Sequence, residues 1–240
     1  MLEVKAVNAA YGDFHVLHDT SLRVAKGKMV AVIGANGHGK STLLKTVCGL
    51  MPVMSGEIAF EGEIINNFKA SDLVARGLVY VAEDRRLFLD MTVKENLLLG
   101  AFLKRGRQQE KRNLDRVFGL YPRLHERQNQ LCRTLSGGES QMVALGRGLM
   151  SDPSCLAIDE PSLGLAPNLT ATMLETISTL NKQGMTILIV EQSLALIEDI
   201  VDDIYTIEEG IVSGEELTSD QTMSASGPVP DPLAHQGSRT

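Results

Sequence analysis

Gly34-Ala35-Asn36-Gly37-His38-Gly39-Lys40-Ser41-Thr42 follows the apolar run Met29–Ile33 and precedes Leu43-Leu44-Lys45-Thr46-Val47. The context reads as strand, glycine loop, helix. Glycines let the backbone curl so that successive N–H groups converge on one anion. The start of the following helix adds a field that favours negative charge. Lys40 brings a mobile cation to the outer phosphates, Ser41 is placed to ligate Mg²⁺, and Thr42 can hydrogen-bond a phosphate. The stretch predicts a nucleoside-triphosphate site.

A second chemical feature lies downstream. Cys155-Leu156-Ala157-Ile158 is an apolar strand that runs into Asp159-Glu160. Successive side chains on a strand diverge, so two adjacent carboxylates can do different work. Asp159 suits the Mg²⁺ shell and Glu160 suits polarising a water. Between the two features, Leu135-Ser136-Gly137-Gly138-Glu139 precedes the helical stretch Ser140–Met150. Small residues at a helix start again form an anion-binding design. A single nucleotide does not obviously need both loops.

The rest of the chain supplies a frame. Leu2–Val7 reads as an edge strand and Val16–Val24 as a further strand. Tyr11 is either a plain turn aromatic or a ring that stacks on a base. Ser41–Leu50 reads as a helix, Ser55–Phe60 as a strand, Ala70–Arg76 as a short helix, and Leu78–Val81 as a buried strand that ends at Glu83. Thr92 and Glu95 have capping-box spacing. Residues from about 88 to 150 look helical and interrupt the α/β pattern. Asn168–Asn181 reads as a helix and Thr186–Val190 as a central strand delivering Glu191 and Gln192 to the same sheet edge. Leu194–Val201 reads as a helix, and Ile204–Ile207 with Ile211-Val212 as a terminal hairpin.

The 240 residues carry a net charge of −7 and are 43% hydrophobic, enough for a sizeable core and weakly opposed to a general nucleic-acid role. No run approaches the roughly 20 apolar residues of a membrane span. Met1-Leu2-Glu3-Val4 lacks a signal-peptide layout, so a cytosolic site is expected. Cys48, Cys132 and Cys155 are widely spaced, and His15, His18, His125 and His235 form no ligand cluster. Residues 218–240 are rich in Ser, Pro and Gly and predict a disordered tail.

Taken together, the motifs over about residues 2–217 resemble the nucleotide-binding subunit of an ABC transporter. The resemblance makes Gly34–Thr42 the Walker A loop, Cys155–Glu160 Walker B with its catalytic glutamate, Leu135–Glu139 the family signature and Ser162–Leu165 the D-loop. It implies a P-loop NTPase of α/β class, with a RecA-like core, an antiparallel β subdomain and an inserted helical subdomain at about 88–150. Tyr11 becomes the adenine-stacking aromatic. The cofactors implied are ATP and Mg²⁺. Gly34, Asn36, Gly37, His38, Gly39, Lys40, Ser41, Thr42, Glu83, Ser136, Gly137, Gly138 and Asp159 are expected to line the nucleotide. Ser41, Glu83 and Asp159 are expected around the metal, and Glu160, Lys40 and Gln192 at the chemistry. Glu83 stands where most members have glutamine, and Gln192 where most have histidine. With Val81–Phe88, Ser162–Pro167 and Val190–Gln192, those departures look like the LivF-like group of branched-chain amino acid importers. His38 is unusual for the loop.

The resemblance further implies a head-to-tail pairing with a second ATPase subunit, permease subunits in the membrane, and an extracytoplasmic solute-binding protein reached through them. It places the chain at the cytoplasmic face of the cell membrane, with no nucleic-acid partner. The competing reading is a soluble ABC ATPase acting as a nucleotide-dependent switch in translation or DNA maintenance. Such proteins usually need tandem cassettes or long insertions, for which 240 residues leave no room.

Overall fold

Every residue of Cys155–Asp159 and of Thr186–Glu191 is buried. Strands that read as unbroken apolar runs sit inside a sheet covered on both faces. The structure is a computed structural model that describes residues 1–215. The expected tail at 218–240 lies outside the described residues.

The elements run in chain order as β1 (Leu2–Tyr11), β2 (Phe14–Val24), β3 (Met29–Ile33), α1 (Lys40–Val47), β4 (Ser55–Phe60), β5 (Glu63–Ile64), α2 (Ala70–Arg76) and β6 (Leu78–Val81). Five helices follow: α3 (Val93–Leu99), α4 (Lys104–Gln108), α5 (Glu110–Leu120), α6 (Pro122–Glu126) and α7 (Gly137–Met150). The chain then returns through β7 (Cys155–Asp159), α8 (Pro167–Lys182), β8 (Thr186–Glu191), β9 (Asp203–Glu208) and β10 (Ile211–Glu215). One sheet has the order β10-β9-β3-β8-β7-β6, the other β2-β1-β4-β5. In the first, β9, β3, β8, β7 and β6 pair in parallel and β10 closes one edge as an antiparallel hairpin. The second is antiparallel throughout.

Side-chain alternation divides the interior into two cores. Val30, Val32, Cys155, Ala157, Leu188 and Val190 pack with α1 and the antiparallel sheet. Met29, Ala31, Leu156, Ile158, Ile187 and Ile189 pack with the inserted helices and α8. The period of two along each strand assigns neighbouring residues to opposite faces. The parallel sheet is therefore the wall between an antiparallel β layer and a helical layer, the three-part fold expected.

Local signals explain several boundaries. The Thr92 hydroxyl accepts from Glu95 N–H at 3.2 Å while the Glu95 carboxylate accepts from Thr92 N–H at 2.7 Å, so the capping box forms. α5 stops at Leu120, with Tyr121 out of helical geometry just before Pro122, and Pro122 itself opens α6 at the first helical turn, where its missing N–H costs no bond. All three cysteines are free and buried. Among the described residues no helix is long and apolar enough to cross a membrane.

Two expectations are corrected. Leu2–Val7 belongs to an interior strand, since β1 pairs with β2 on one side and β4 on the other. Its alternation reports one buried face and says nothing about a hydrogen-bonding partner that arrives some fifty residues later. Leu194–Val201 is not a helix. A single 3₁₀ turn spans Leu194–Leu196, and Ile197 leaves helical geometry at φ −130°. Ile197 is fully buried and Ile200 and Val201 pack partly against the same core, but Leu194 and Leu196 are exposed, and so short an apolar stripe does not hold a longer helix.

Leu188 sits in the middle of β8 with no exposed surface. Leu188→Ala is expected to cost about 2–5 kcal/mol through lost burial and a cavity. The reading is a lower urea midpoint at unchanged m-value; a midpoint matching the parent chain would contradict burial on both faces of this strand.

Candidate active site

The loop between β3 and α1 is shaped by what surrounds it. A side chain at Gly34 would collide with the Ile207 carbonyl. Gly39 turns the chain into α1 at φ 103°, a region closed to most L-residues. The N–H groups of Gly37, Gly39, Lys40, Ser41 and Thr42 find no carbonyl partner among the described residues. Five unpaired donors on one loop, at a helix start, form a ready anion cradle.

Lys40 opens α1 and is buried. Its ammonium donates to the Gly34 carbonyl at 2.8 Å and the Ala35 carbonyl at 3.1 Å, and pairs with Glu160 Oε1 at 2.9 Å. Ser41 Oγ donates to Asp159 Oδ1 at 3.0 Å, and the Tyr80 hydroxyl donates to Asp159 Oδ2 at 2.6 Å. Sheet order makes this possible: β6, β7 and β8 are neighbours, and α1 leaves β3 next to β8. All four strands end on the same edge, where ligands gather in open parallel sheets.

Burial raises the Asp159 carboxyl above its ordinary range, against the opposing hydrogen bonds from Tyr80 and Ser41. Burial likewise raises Glu191, whose carboxylate accepts from Ser162 N–H at 3.0 Å and so ties the loop after Glu160 to β8. Glu83, at the end of β6, is raised by burial first and then by the charges of Glu160 and Asp159. Burial and the bond to Asp159 push the Tyr80 phenol upward, so it remains a donor.

A cavity of about 220 Å³ is lined by Asn36, Gly37, Gly39, Lys40, Ser41, Thr42, Glu83 and Glu160. Two larger hollows, about 290 Å³ beside β6 and α7 and about 770 Å³ beside α8, do not border the phosphate loop. Size therefore does not mark the site in this fold; the donor set does. The hydroxyl of Ser41 and the carboxylates of Asp159 and Glu83 are hard oxygen ligands of the kind Mg²⁺ takes. Among the described residues no three acidic, His or Cys side chains form a metal cage. A Mg²⁺ held by one or two protein oxygens and by phosphates needs none.

Several expected residues lie apart from this cavity. His38 contributes its carbonyl to Gly210 N–H at 3.1 Å, not a side chain to the cavity wall. Gln192 follows β8 and is exposed. Tyr11 stands at the tip of the β1–β2 hairpin. Ser136, Gly137 and Gly138 open α7, where the Ser136 hydroxyl accepts from Glu139 N–H at 3.3 Å. Tyr80 is a contributor that the sequence reading passed over, and Glu191, placed at this sheet edge by its sequence, was given no role there. The available signals were a lone hydroxyl-bearing ring in the apolar run Leu78–Val81 and an acid as the last residue of an apolar strand.

The phosphate loop, α1 and the acids ending β7 define a P-loop nucleoside triphosphatase. Residues 17–163 match the ABC transporter family, and the chain belongs to that family. It is 43% identical to the high-affinity branched-chain amino acid transport ATP-binding protein BraG of Pseudomonas aeruginosa, over 88% of this chain and 90% of that protein. It is 33% identical to the probable branched-chain amino acid transport ATP-binding protein LivF of Archaeoglobus fulgidus, over 89% and 90% of the two chains. A nucleotide-free ATP-binding cassette from an ABC transporter superposes with a TM-score of 0.78 at 29% identity, over 90% and 92% of the chains.

The raised Asp159 carboxyl has a consequence for stability. Its folded-state value lies above the unfolded one, so its contribution to stability is fully present below the ordinary aspartate range and is lost as pH rises through the folded value. At neutral pH the parent chain therefore carries a cost that an amide does not. Asp159→Asn is expected to raise the melting temperature near pH 7, with the gain shrinking as pH falls into the carboxylate range. A gain that grows on acidification would contradict burial as the dominant cause.

Proposed function

We propose that this chain hydrolyses ATP to power import of branched-chain amino acids through permease subunits, at the cytoplasmic face of the cell membrane. The observation that carries the catalytic half is the meeting of Lys40, Ser41, Asp159 and Glu160 beside five unpaired loop N–H groups. The solute is supported by the names of the relatives and by Glu83 and Gln192 standing where the LivF-like group carries them. The solute itself is met by the permease subunits and an extracytoplasmic binding protein, not by this chain. The other reading, a nucleotide switch in translation or DNA maintenance, is not favoured by relatives named as transport subunits.

The roles follow from charge and geometry. The loop N–H groups bind the phosphates, and Lys40 offsets charge on the transferring phosphoryl group. Glu160 orients and polarises the attacking water. Ser41 and Asp159, with Glu83 nearby, would hold Mg²⁺, which would supply positive charge to offset the phosphates. Gln192 donates to a phosphate oxygen or to the water and, unlike histidine, does not take up a proton. A second cassette, identical or homologous, brings its own Ser136–Gly138 turn over the nucleotide. That accounts for two anion-seeking loops that one chain does not bring to one cavity.

The test is reconstitution of the chain with its permease subunits, second cassette and binding protein in proteoliposomes. ATP-dependent uptake of leucine, isoleucine or valine is expected; uptake of urea or an amide in their place would reassign the solute, and no ATP-driven uptake would sink the transport reading. In the same system Glu160→Gln should retain ATP binding and lose about 10²–10⁴-fold in turnover, the usual scale of a lost general base. Gln192→Ala should lose less. Near-parent turnover in Glu160→Gln, or equal losses in the two variants, would count against these roles.

A further inference from the structure

Glu191 is a buried carboxylate that no cation balances. It ends β8 with 2% of its surface exposed, and among the described residues it forms no ion pair; the buried ammonium of Lys40 goes to Glu160 instead. A charge held in this way is expensive, and a neutral side chain of the same length would avoid the cost. What the side chain touches is therefore informative: Glu191 Oε1 accepts from Ser162 N–H at 3.0 Å.

That bond lies where the sheet runs out. Backbone pairing of β7 with β8 ends at Asp159 and Val190. Beyond it the chain turns through Glu160, Pro161 and Ser162, with Glu160 at φ 42°. Proline has no N–H, so Glu160 and Ser162 carry the only backbone donors of the turn. The Val190 carbonyl takes Glu160 N–H at 3.0 Å, and the Glu191 side chain takes the other donor. Glu191 thus adds a side-chain rung to the β7–β8 ladder just past its last backbone pair. An uncommon backbone conformation persists only when its surroundings over-determine it, and this rung is half of what does so here. The Glu191 carbonyl meanwhile accepts from Gly34 N–H at 3.4 Å, at the entry to the phosphate loop. One residue touches both the turn that bears Glu160 and the loop that bears Lys40.

We propose that Glu191 is a positioning residue for ATP hydrolysis. Its side chain, acting as an acceptor rather than as a charge, holds the 160–162 turn so that Glu160 stays on the wall of the phosphate cavity. The proposal rests on the reading of Glu160 as the group that activates water, and adds what keeps it in place.

Two variants separate acceptor from charge. Glu191→Gln keeps the reach and an accepting oxygen and removes the charge. Glu191→Asp keeps the charge and draws the oxygen back by one methylene. The measurements are steady-state ATPase activity of the reconstituted transporter, and hydrogen exchange of the nucleotide-free full chain over residues 160–165. Glu191→Asp is expected to lose about ten- to a hundredfold in kcat, the scale of a small misplacement, with KM for ATP within about twofold of the parent. Exchange at the Ser162 amide should quicken in the same variant. Glu191→Gln should match the parent in both measurements. Parent-like kcat or unchanged exchange in Glu191→Asp overturns the role. An equal loss in Glu191→Gln also overturns it, because the charge would then be what matters. A large rise in KM overturns it too, because Glu191 would then only prop the phosphate loop. Should Glu160→Gln turn over like the parent, the reading of Glu160 falls and this proposal with it, whatever the exchange shows.

Discussion

One buried ion pair constrains the rest of the structure. Lys40 and Glu160 keep only 3% and 6% of their side chains exposed and meet at 2.9 Å. Taking both charges out of water is expensive, and the pair persists only because the ammonium also has the Gly34 and Ala35 carbonyls. Those carbonyls belong to the loop, so the same bonds that satisfy Lys40 hold the loop's shape. Any anion that reaches Lys40 competes with Glu160 for one ammonium. The site thus couples what sits in the phosphate cradle to how tightly Glu160 is held.

The parallel sheet makes that meeting possible. Lys40 begins the helix after β3, Glu160 follows β7, and β8 separates the two strands while pairing with both. Glu160 is held at φ 42°, an uncommon conformation for a residue with a side chain, and its N–H donates to the Val190 carbonyl of β8 at 3.0 Å. Glu191, the next residue of β8, accepts from Ser162 on the far side of the same turn. The central strand therefore fixes the turn that carries Glu160 at two points. Glu160 alone in that turn, among residues 159–163, has a positive φ, so the uncommon backbone sits at the residue paired with Lys40.

The parts legible in the sequence are those whose meaning is local. Gly34–Thr42 and Cys155–Glu160 each carry strand, turn and reactive group within a dozen residues, and Thr92 with Glu95 needs nothing beyond its own helix. Tyr80 could not be read this way. Its partner Asp159 is a neighbour only because β6 and β7 are adjacent in the sheet, and no local pattern states strand order. The same holds for β1, whose second partner lies far along the chain. Leu194–Val201 failed for another reason: Ile197, Ile200 and Val201 have helical spacing and meet the core, but Leu194 and Leu196 are exposed, and so short a stripe does not hold a helix.

The two anion-seeking loops differ in what already occupies their donors. In the phosphate loop five N–H groups are unpaired among the described residues. At the start of α7, Ser136 N–H donates to Glu139 at 2.9 Å and the Ser136 hydroxyl accepts from Glu139 N–H. Burial works against the Glu139 charge, yet the bonds from Ser136 and the nearby Arg127 and Arg123 hold its carboxyl below the ordinary range. A carboxylate is thus already seated at the positive end of that helix, where it offsets the field that would draw a phosphate. The phosphate loop is built to take an anion unaided. At the α7 turn the Ser136–Glu139 cap satisfies two donors, while the Gly137 and Gly138 N–H groups have no partner among the described residues. The two loops thus differ in the number of free donors and in the carboxylate already seated at one of them.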